Sequence, residues 1–186
     1  MNILFIWVPK TAGSSFHHVL RDKLNMQLYT ENYHRFNNTG SVTFGHACVA
    51  SLMEKRIIKP AYIKDAEIIT CVRNPYDRFV SLFNDYKRTG RIAPKFSQWD
   101  FANTLRSVTR KPGLYNSRDF SMCADQCDWI LPETSIIKLE NLSRVVFEEL
   151  DVELPTLNSS KENVFDDRCR DIVGDIYNKD FCLLDY

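Results

Sequence analysis

Ile3-Leu4-Phe5-Ile6-Trp7-Val8, followed by Pro9-Lys10-Thr11-Ala12-Gly13-Ser14-Ser15, is the stretch that decides the fold. Six apolar residues without polar alternation read as a strand buried on both faces, as in a parallel sheet. Pro9 and Gly13 punctuate the loop after it, and Phe16, Val19, Leu20 and Leu24 then recur at helical spacing. The unit is strand, short loop, helix. The first N–H groups of a helix lack intrahelical partners and its dipole adds positive potential, so such a junction can hold an anion. Gly13 would let the backbone approach a bound group, Ser14 and Ser15 add hydroxyls, and Lys10 adds a point charge. The plain alternative is a capped turn with a lysine facing solvent.

Outward from this unit, strands and helices alternate. A weaker strand over residues 41–44 ends at Gly45-His46, and Glu67 to Val72 is a second buried strand. It runs into Arg73-Asn74-Pro75, where Asn74 is placed to cap a helix and Pro75 fits its first position. That helix carries Phe79, Leu82, Phe83 and Tyr86 on one face. A helix over residues 98–108 and a strand over residues 135–139 follow. The next helix is apolar at Leu142, Val145, Val146 and Leu150, and a closing one starts at about Asp166. This alternation predicts an α/β sheet with ligands at the carboxyl ends of its strands. No repeat or linker divides residues 1–186, which read as a single domain.

The 186 residues are 44% hydrophobic and 26% charged with zero net charge, so nothing global points to nucleic acid. The charge is uneven: residues 1–139 hold 19 Lys and Arg against 12 Asp and Glu, and residues 140–186 hold 5 against 12. A basic working face backed by an acidic tail is one reading, and ordinary solvated surface is the other. The first apolar run is too short for a membrane span or a leader, so no membrane insertion and a cytoplasmic location are expected. Six cysteines show no CxxC pair and no histidine at zinc spacing, so no metal is expected. Cys71, Cys169 and Cys182 fit apolar patterns as reduced, buried thiols.

Arg73-Asn74-Pro75-Tyr76-Asp77-Arg78-Phe79-Val80-Ser81 carries a second signal. Arg73 leaves a buried strand beside the first loop, while Arg78 and Ser81, three apart on the next helix, share a face. A guanidinium and a hydroxyl converging on a crevice suit a phosphate. A capped helix with Arg78 paired to a neighbouring acid fits the same spacing.

The first loop is not GxxxxGK[ST], because Lys10 precedes the only glycine. It resembles the 5′-phosphosulfate loop of sulfotransferases dependent on 3′-phosphoadenosine 5′-phosphosulfate (PAPS), matching at Pro9, Lys10, Thr11, Gly13, Ser14 and Ser15. It departs at Ala12, where many relatives carry glycine. The Arg73–Ser81 stretch is similar to that family's 3′-phosphate motif, which implies that Arg73 and Ser81 hold the 3′-phosphate. Asp125-Gln126-Cys127-Asp128-Trp129, Lys138-Leu139-Glu140-Asn141-Leu142, Leu154 to Asn158 and Ile176 to Phe181 resemble carbohydrate sulfotransferases of Golgi type and their bacterial relatives.

The resemblance implies a P-loop-type three-layer α/β domain with a central, mostly parallel sheet flanked by helices. It also implies sulfuryl transfer from PAPS to an acceptor hydroxyl on a glycan, without a metal. Under it, Lys10 stabilises the leaving oxygen, and Thr11, Ala12, Gly13, Ser14 and Ser15 hold the 5′ end. Asn158, Ser159, Ser160 and Lys161, in the loop before the closing helix, are candidates to close over the nucleotide, although any serine-rich loop would read the same.

An attacking hydroxyl must lose a proton, and His46, after a strand and Gly45, is the candidate base, with Glu140 as the alternative. A structural histidine beside a turn is the plain reading of His46. His17 and His18 cap or line the site. Lys87, Arg88, Arg91, Arg106, Arg110, Lys111 and Arg118 offer a basic surface for an anionic glycan, with Trp99 or Tyr115 for stacking, or are simply solvated. Two rivals remain at this level, a P-loop kinase-like phosphotransferase and an inactive nucleotide-binding module.

Overall fold

The computed structural model describes residues 2–28, 42–113, 120–155 and 164–186. Five strands, β1 (Asn2–Ile6), β2 (Gln27–Leu28), β3 (Val42–Thr43), β4 (Ala66–Val72) and β5 (Ser135–Lys138), form one sheet in the order β2-β3-β1-β4-β5. Every pairing is parallel, and Leu4 sits opposite Val42 on one side and Ile68 on the other. The expected α/β fold with a parallel sheet is therefore the fold observed.

Alternation along β1 explains why its sequence is apolar throughout. Leu4 and Ile6 enter one core cluster with Val42, Leu52, Tyr62 and Ile68, from the side of α2 (Val49–Glu54) and α3 (Pro60–Asp65). Ile3 and Phe5 enter another with Phe16, Val19 and Leu20 of α1 (Gly13–Leu24) and Leu142 and Val146 of α6 (Leu139–Leu150). Each such buried side chain contributes roughly 1.5–3 kcal/mol, which fixes the register between helix layers and sheet. A third cluster contains no strand residue. It joins α4 (Pro75–Arg88), α5 (Gln98–Ser107) and α7 (Arg170–Ile176) through Phe79, Phe83, Phe101, Leu105 and Val173.

Local signals set several boundaries. Asn74 Oδ1 accepts from the Tyr76 N–H at 3.0 Å with Pro75 in the first helical turn, as the sequence predicts. Ser97 and Asp100 form a reciprocal capping box at the start of α5. The expected single closing helix is a 3₁₀ turn (Asp167–Cys169), then α7, then α8 (Asn178–Leu184), interrupted at Tyr177. Cys71 and Cys169 are buried thiols, but Cys182 lies on the exposed face of α8, against expectation. The short β2, α2 and α3 were not legible, because two-residue strands and six-residue helices carry too few residues to show a period. No helix among the described residues is long and apolar enough to cross a membrane.

Candidate active site

A parallel sheet delivers all its strand-to-helix loops to one edge. Loop 7–12 leaves β1, Gly45-His46 follows β3, and Arg73 follows β4. The chain runs from β1 to β2 on one side and from β4 to β5 on the other, the strand-order reversal that opens a crevice between neighbours. The two phosphate signatures therefore follow neighbouring parallel strands and lie at the same edge of the sheet.

The first loop is held from within. Thr11, fully buried, donates through Oγ1 to the Val8 carbonyl at 2.9 Å, so its hydroxyl shapes the turn, and only its backbone remains for the ligand role that the sequence assigns to it. Lys10 and Ala12 both adopt left-handed conformations, with φ of 67° and 61°. The left-handed Ala12 is the N-cap of α1 and gives no side-chain cap, at a helix end whose first N–H groups lack intrahelical partners. For a non-glycine residue this region costs roughly 1–2 kcal/mol, which gives a physical meaning to the glycine that relatives carry at this place. The close approach at Gly13 is to protein: a Cβ there would overlap the Trp7 indole. Ser14 is half-buried and Ser15 buried in the first turn of α1.

Two arginines of the second signature separate cleanly. Arg78, only 1% exposed, donates Nε to the Pro9 carbonyl at 3.0 Å, Nη1 to Ala124 at 3.0 Å and Nη2 to Met122 at 2.9 Å. Its guanidinium also lies over the Trp129 and Tyr177 rings. The spacing left Arg78 open to a phosphate or to an acid; its donors go to backbone carbonyls, with Asp180 4.0 Å from Nη1, and it joins the first loop to segment 120–129. Arg73 is half-buried at the end of β4, and among the described residues no carboxylate forms an ion pair with it. Burial works against its charge, while Asp77, Glu140 and Tyr186 nearby favour it. A half-desolvated guanidinium of this kind is suited to an incoming anion. Ser81, half-buried, lies on α4 between Arg78 and Asp85, and both of these reach the Lys10 loop.

Lys10 extends toward α4, where Nζ donates to Asp85 Oδ1 at 3.2 Å. The same oxygen accepts from Arg88 Nη2 at 2.7 Å. Burial pushes the Asp85 carboxyl up, but the Arg88 hydrogen bond and Lys10 outweigh it and hold the group below the ordinary carboxylate value. Nothing in the sequence reading singled out Asp85. Its signal was available, seven residues after Arg78 and four after Ser81 on one helical face.

His46 is half-buried, and its Nδ1 lies 3.0 Å from the Trp7 carbonyl. A carbonyl only accepts, so Nδ1 carries the proton and Nε2 carries the lone pair. Burial lowers the pKa below 6.5, with the Trp7 hydrogen bond opposing it and Lys10 reinforcing it. The ring stands edge-on to Trp7, against which His17 stacks at 5.6 Å. His17 is buried and its Nε2 has no hydrogen-bond partner among the described residues. His18 instead turns Nδ1 to Arg21.

Segment 125–129 holds this edge together. Gln126 bonds both backbone groups of Arg73, and Trp129 Nε1 donates to the His46 carbonyl at 3.1 Å. Asp180 in turn accepts from the N–H groups of Gln126 and Cys127 at 2.8 and 3.0 Å. Sequence reasoning met these residues only as points of resemblance. Their work is done across 50 or more residues of chain, which no local pattern reveals.

Other expectations divide. Asn158, Ser159, Ser160, Lys161, Tyr115 and Arg118 lie outside the described residues. Arg110, expected on a glycan-binding face, is spent on the Cys123 and Ile176 carbonyls, and Arg91 packs over the Tyr86 ring. Trp99, by contrast, is exposed. Glu140, the alternative base, accepts from the Asn74 N–H and the Tyr186 hydroxyl and so closes a structural bridge. No group of three or more His, Cys, Asp or Glu residues able to hold a metal ion occurs among the described residues.

Comparison with known proteins bears on the fold and the family. The fold is an α/β domain whose five described strands form one parallel sheet. The model of the sulfotransferase family matches residues 1–122, and the chain belongs to that family. A sulfotransferase from Alicyclobacillus acidocaldarius is similar in structure, with a TM-score of 0.57 at 14% identity over 98% of this chain and 93% of that one. A mouse sulfotransferase, SULT7A1, complexed with PAP, aligns with a TM-score of 0.49 at 14% identity over 97% of this chain and 66% of that one. No curated protein matches the sequence.

Proposed function

We propose that the protein transfers a sulfuryl group from PAPS to an acceptor hydroxyl, with a carbohydrate as the acceptor class. Family membership supports sulfuryl transfer. The observation that supports the PAPS reading is the pairing of the loop after β1, which leads into the N-terminus of α1, with Arg73, which has no ion pair among the described residues, at the end of adjacent β4. Two anion sites on neighbouring strands suit one molecule phosphorylated at both ends.

In this reading Arg73 and Ser81 grip the 3′-phosphate, and the N–H groups of residues 11–15 with Ser14 and Ser15 hold the 5′ end. His46 Nε2 takes the acceptor's proton while the acceptor oxygen bonds to sulfur. The bond from sulfur to the 5′-phosphate oxygen breaks, and Lys10 offsets the charge that collects on that oxygen. Arg78 and Gln126 act at one remove, by holding the backbone that carries these groups.

The experiment is transfer from radiolabelled PAPS to a panel of oligosaccharides, lipids and phenols, with ATP and Mg²⁺ as a parallel arm. Labelled oligosaccharide supports the reading, labelled phenol alone overturns the acceptor class, and turnover of ATP with none of PAPS overturns the whole. A kinase-like reading would ask Glu140 to hold a metal, whereas that carboxylate is engaged by Asn74 and Tyr186.

A further inference from the structure

Lys10 and Arg88 converge on one oxygen of Asp85, at 3.2 and 2.7 Å. The three differ in setting. The Asp85 side chain is 10% exposed, Lys10 26% and Arg88 73%. Lys10 enters from a left-handed backbone position, which aims its side chain at α4. Arg88 comes from the next turn of the same helix, where three-residue spacing brings it over Asp85 whatever the loop does.

We propose that Asp85 is a positioning residue that competes with the donor nucleotide for Lys10, and that Arg88 sets the strength of that competition. In the ligand-free chain, Lys10 is held extended by Asp85 and its charge is compensated. An anion bound in the β1 loop draws Nζ away from Asp85. A carboxylate that is nine-tenths buried would be costly if left alone. Arg88 stays on the same oxygen and covers it, so the lysine is released without stranding a charge. Lys10 is thus exchanged between two anions, and the affinity of the site is the difference between them. The inference rests on the PAPS reading above.

The test is calorimetric titration with 3′,5′-adenosine bisphosphate, the nucleotide left after transfer, using five proteins: wild type, Asp85→Asn, Arg88→Ala, Lys10→Ala and the Lys10→Ala/Asp85→Asn double variant. Asp85→Asn removes the competing anion and is expected to tighten binding on the order of fivefold, the scale of an ion pair at the edge of solvent. Arg88→Ala leaves Lys10 as the sole partner of Asp85 and is expected to weaken binding about threefold, again on that scale. In a Lys10→Ala background the Asp85→Asn change is expected to have no effect on affinity. A merely structural Asp85 would lower stability and affinity together, so tightening in Asp85→Asn is the distinguishing result.

Unchanged or weaker binding in that variant, or unchanged binding in Arg88→Ala, overturns the exchange while leaving the nucleotide reading intact. Failure of the wild type to bind removes both. Should Asp85→Asn not fold, Arg88→Ala decides alone, since its side chain is exposed.

Discussion

The side-chain amide of Gln126 pairs with both backbone polar groups of Arg73: Oε1 accepts from the N–H and Nε2 donates to the carbonyl, each at 2.9 Å. The chain leaves β4 at this point, so there is no further strand partner for Arg73, and a side chain 53 residues away takes that place. Gln126 is itself fully buried.

Gln126→Ala is expected to leave two polar groups unpaired, at a cost on the order of 3 kcal/mol. Urea denaturation measures it. The nucleotide affinity of the folded fraction should fall as well, because the corner that aims Arg73 loosens. Wild-type stability in this variant would show that water replaces the amide without loss.

Arg73 and Arg78 are expected to give opposite phenotypes. Arg78→Ala strands three carbonyls and a buried Asp180, 4.0 Å from Nη1, and should cost about 3–5 kcal/mol or prevent folding. Arg73→Ala should fold with near wild-type melting temperature but lose most of the stabilisation given by 3′,5′-adenosine bisphosphate. Thermal melts with and without the nucleotide separate the two. Equal nucleotide shifts in wild type and Arg73→Ala would remove Arg73 from the site.

Neighbouring positions in the first loop should respond with opposite signs. Ala12→Gly relieves a left-handed alanine and is expected to stabilise the fold by up to about 1 kcal/mol after glycine's extra chain entropy. Gly13→Ala drives a methyl group into the Trp7 indole and should destabilise by roughly 1–3 kcal/mol. Chemical denaturation of both variants checks the pair. Two changes of the same sign would contradict the drawn loop.

His46 should set the acid limb of turnover. Burial lowers its pKa below 6.5 in the ligand-free chain, so kcat/KM should stay flat above 6.5 and fall only as pH drops through the lowered value. The folded chain binds this proton less readily than the unfolded one. Its contribution to stability is therefore complete above 6.5 and is lost as pH falls toward the folded value. His17, lowered by burial and then by Arg21, acts in the same direction. His46→Ala is expected to keep nucleotide binding and lose most transfer. A pH profile that keeps the same limb in that variant would assign the proton to another group.

Much of the frame was written in local sequence. The unbroken apolar run of β1 required burial on both faces, and Asn74 with Pro75 dictated where α4 starts, because these signals act between residues a few positions apart. Both anion signatures were legible for the same reason, as were Lys10, Arg73, Ser81 and His46 as candidates.

What each candidate side chain does was decided only by the tertiary structure. Arg73 and Arg78 are the same residue type five positions apart, yet one stays partly exposed at the end of β4 and the other spends its donors on Pro9, Met122 and Ala124. The Thr11 hydroxyl is turned to the Val8 carbonyl, while Asp85, which looked ordinary, and Gln126, met only as a point of resemblance, touch Lys10 and Arg73. Sequence determines which groups are available. Which of them find a partner depends on chain segments brought together by burial of the core, and a hydrogen bond across more than 50 residues leaves no periodicity to read.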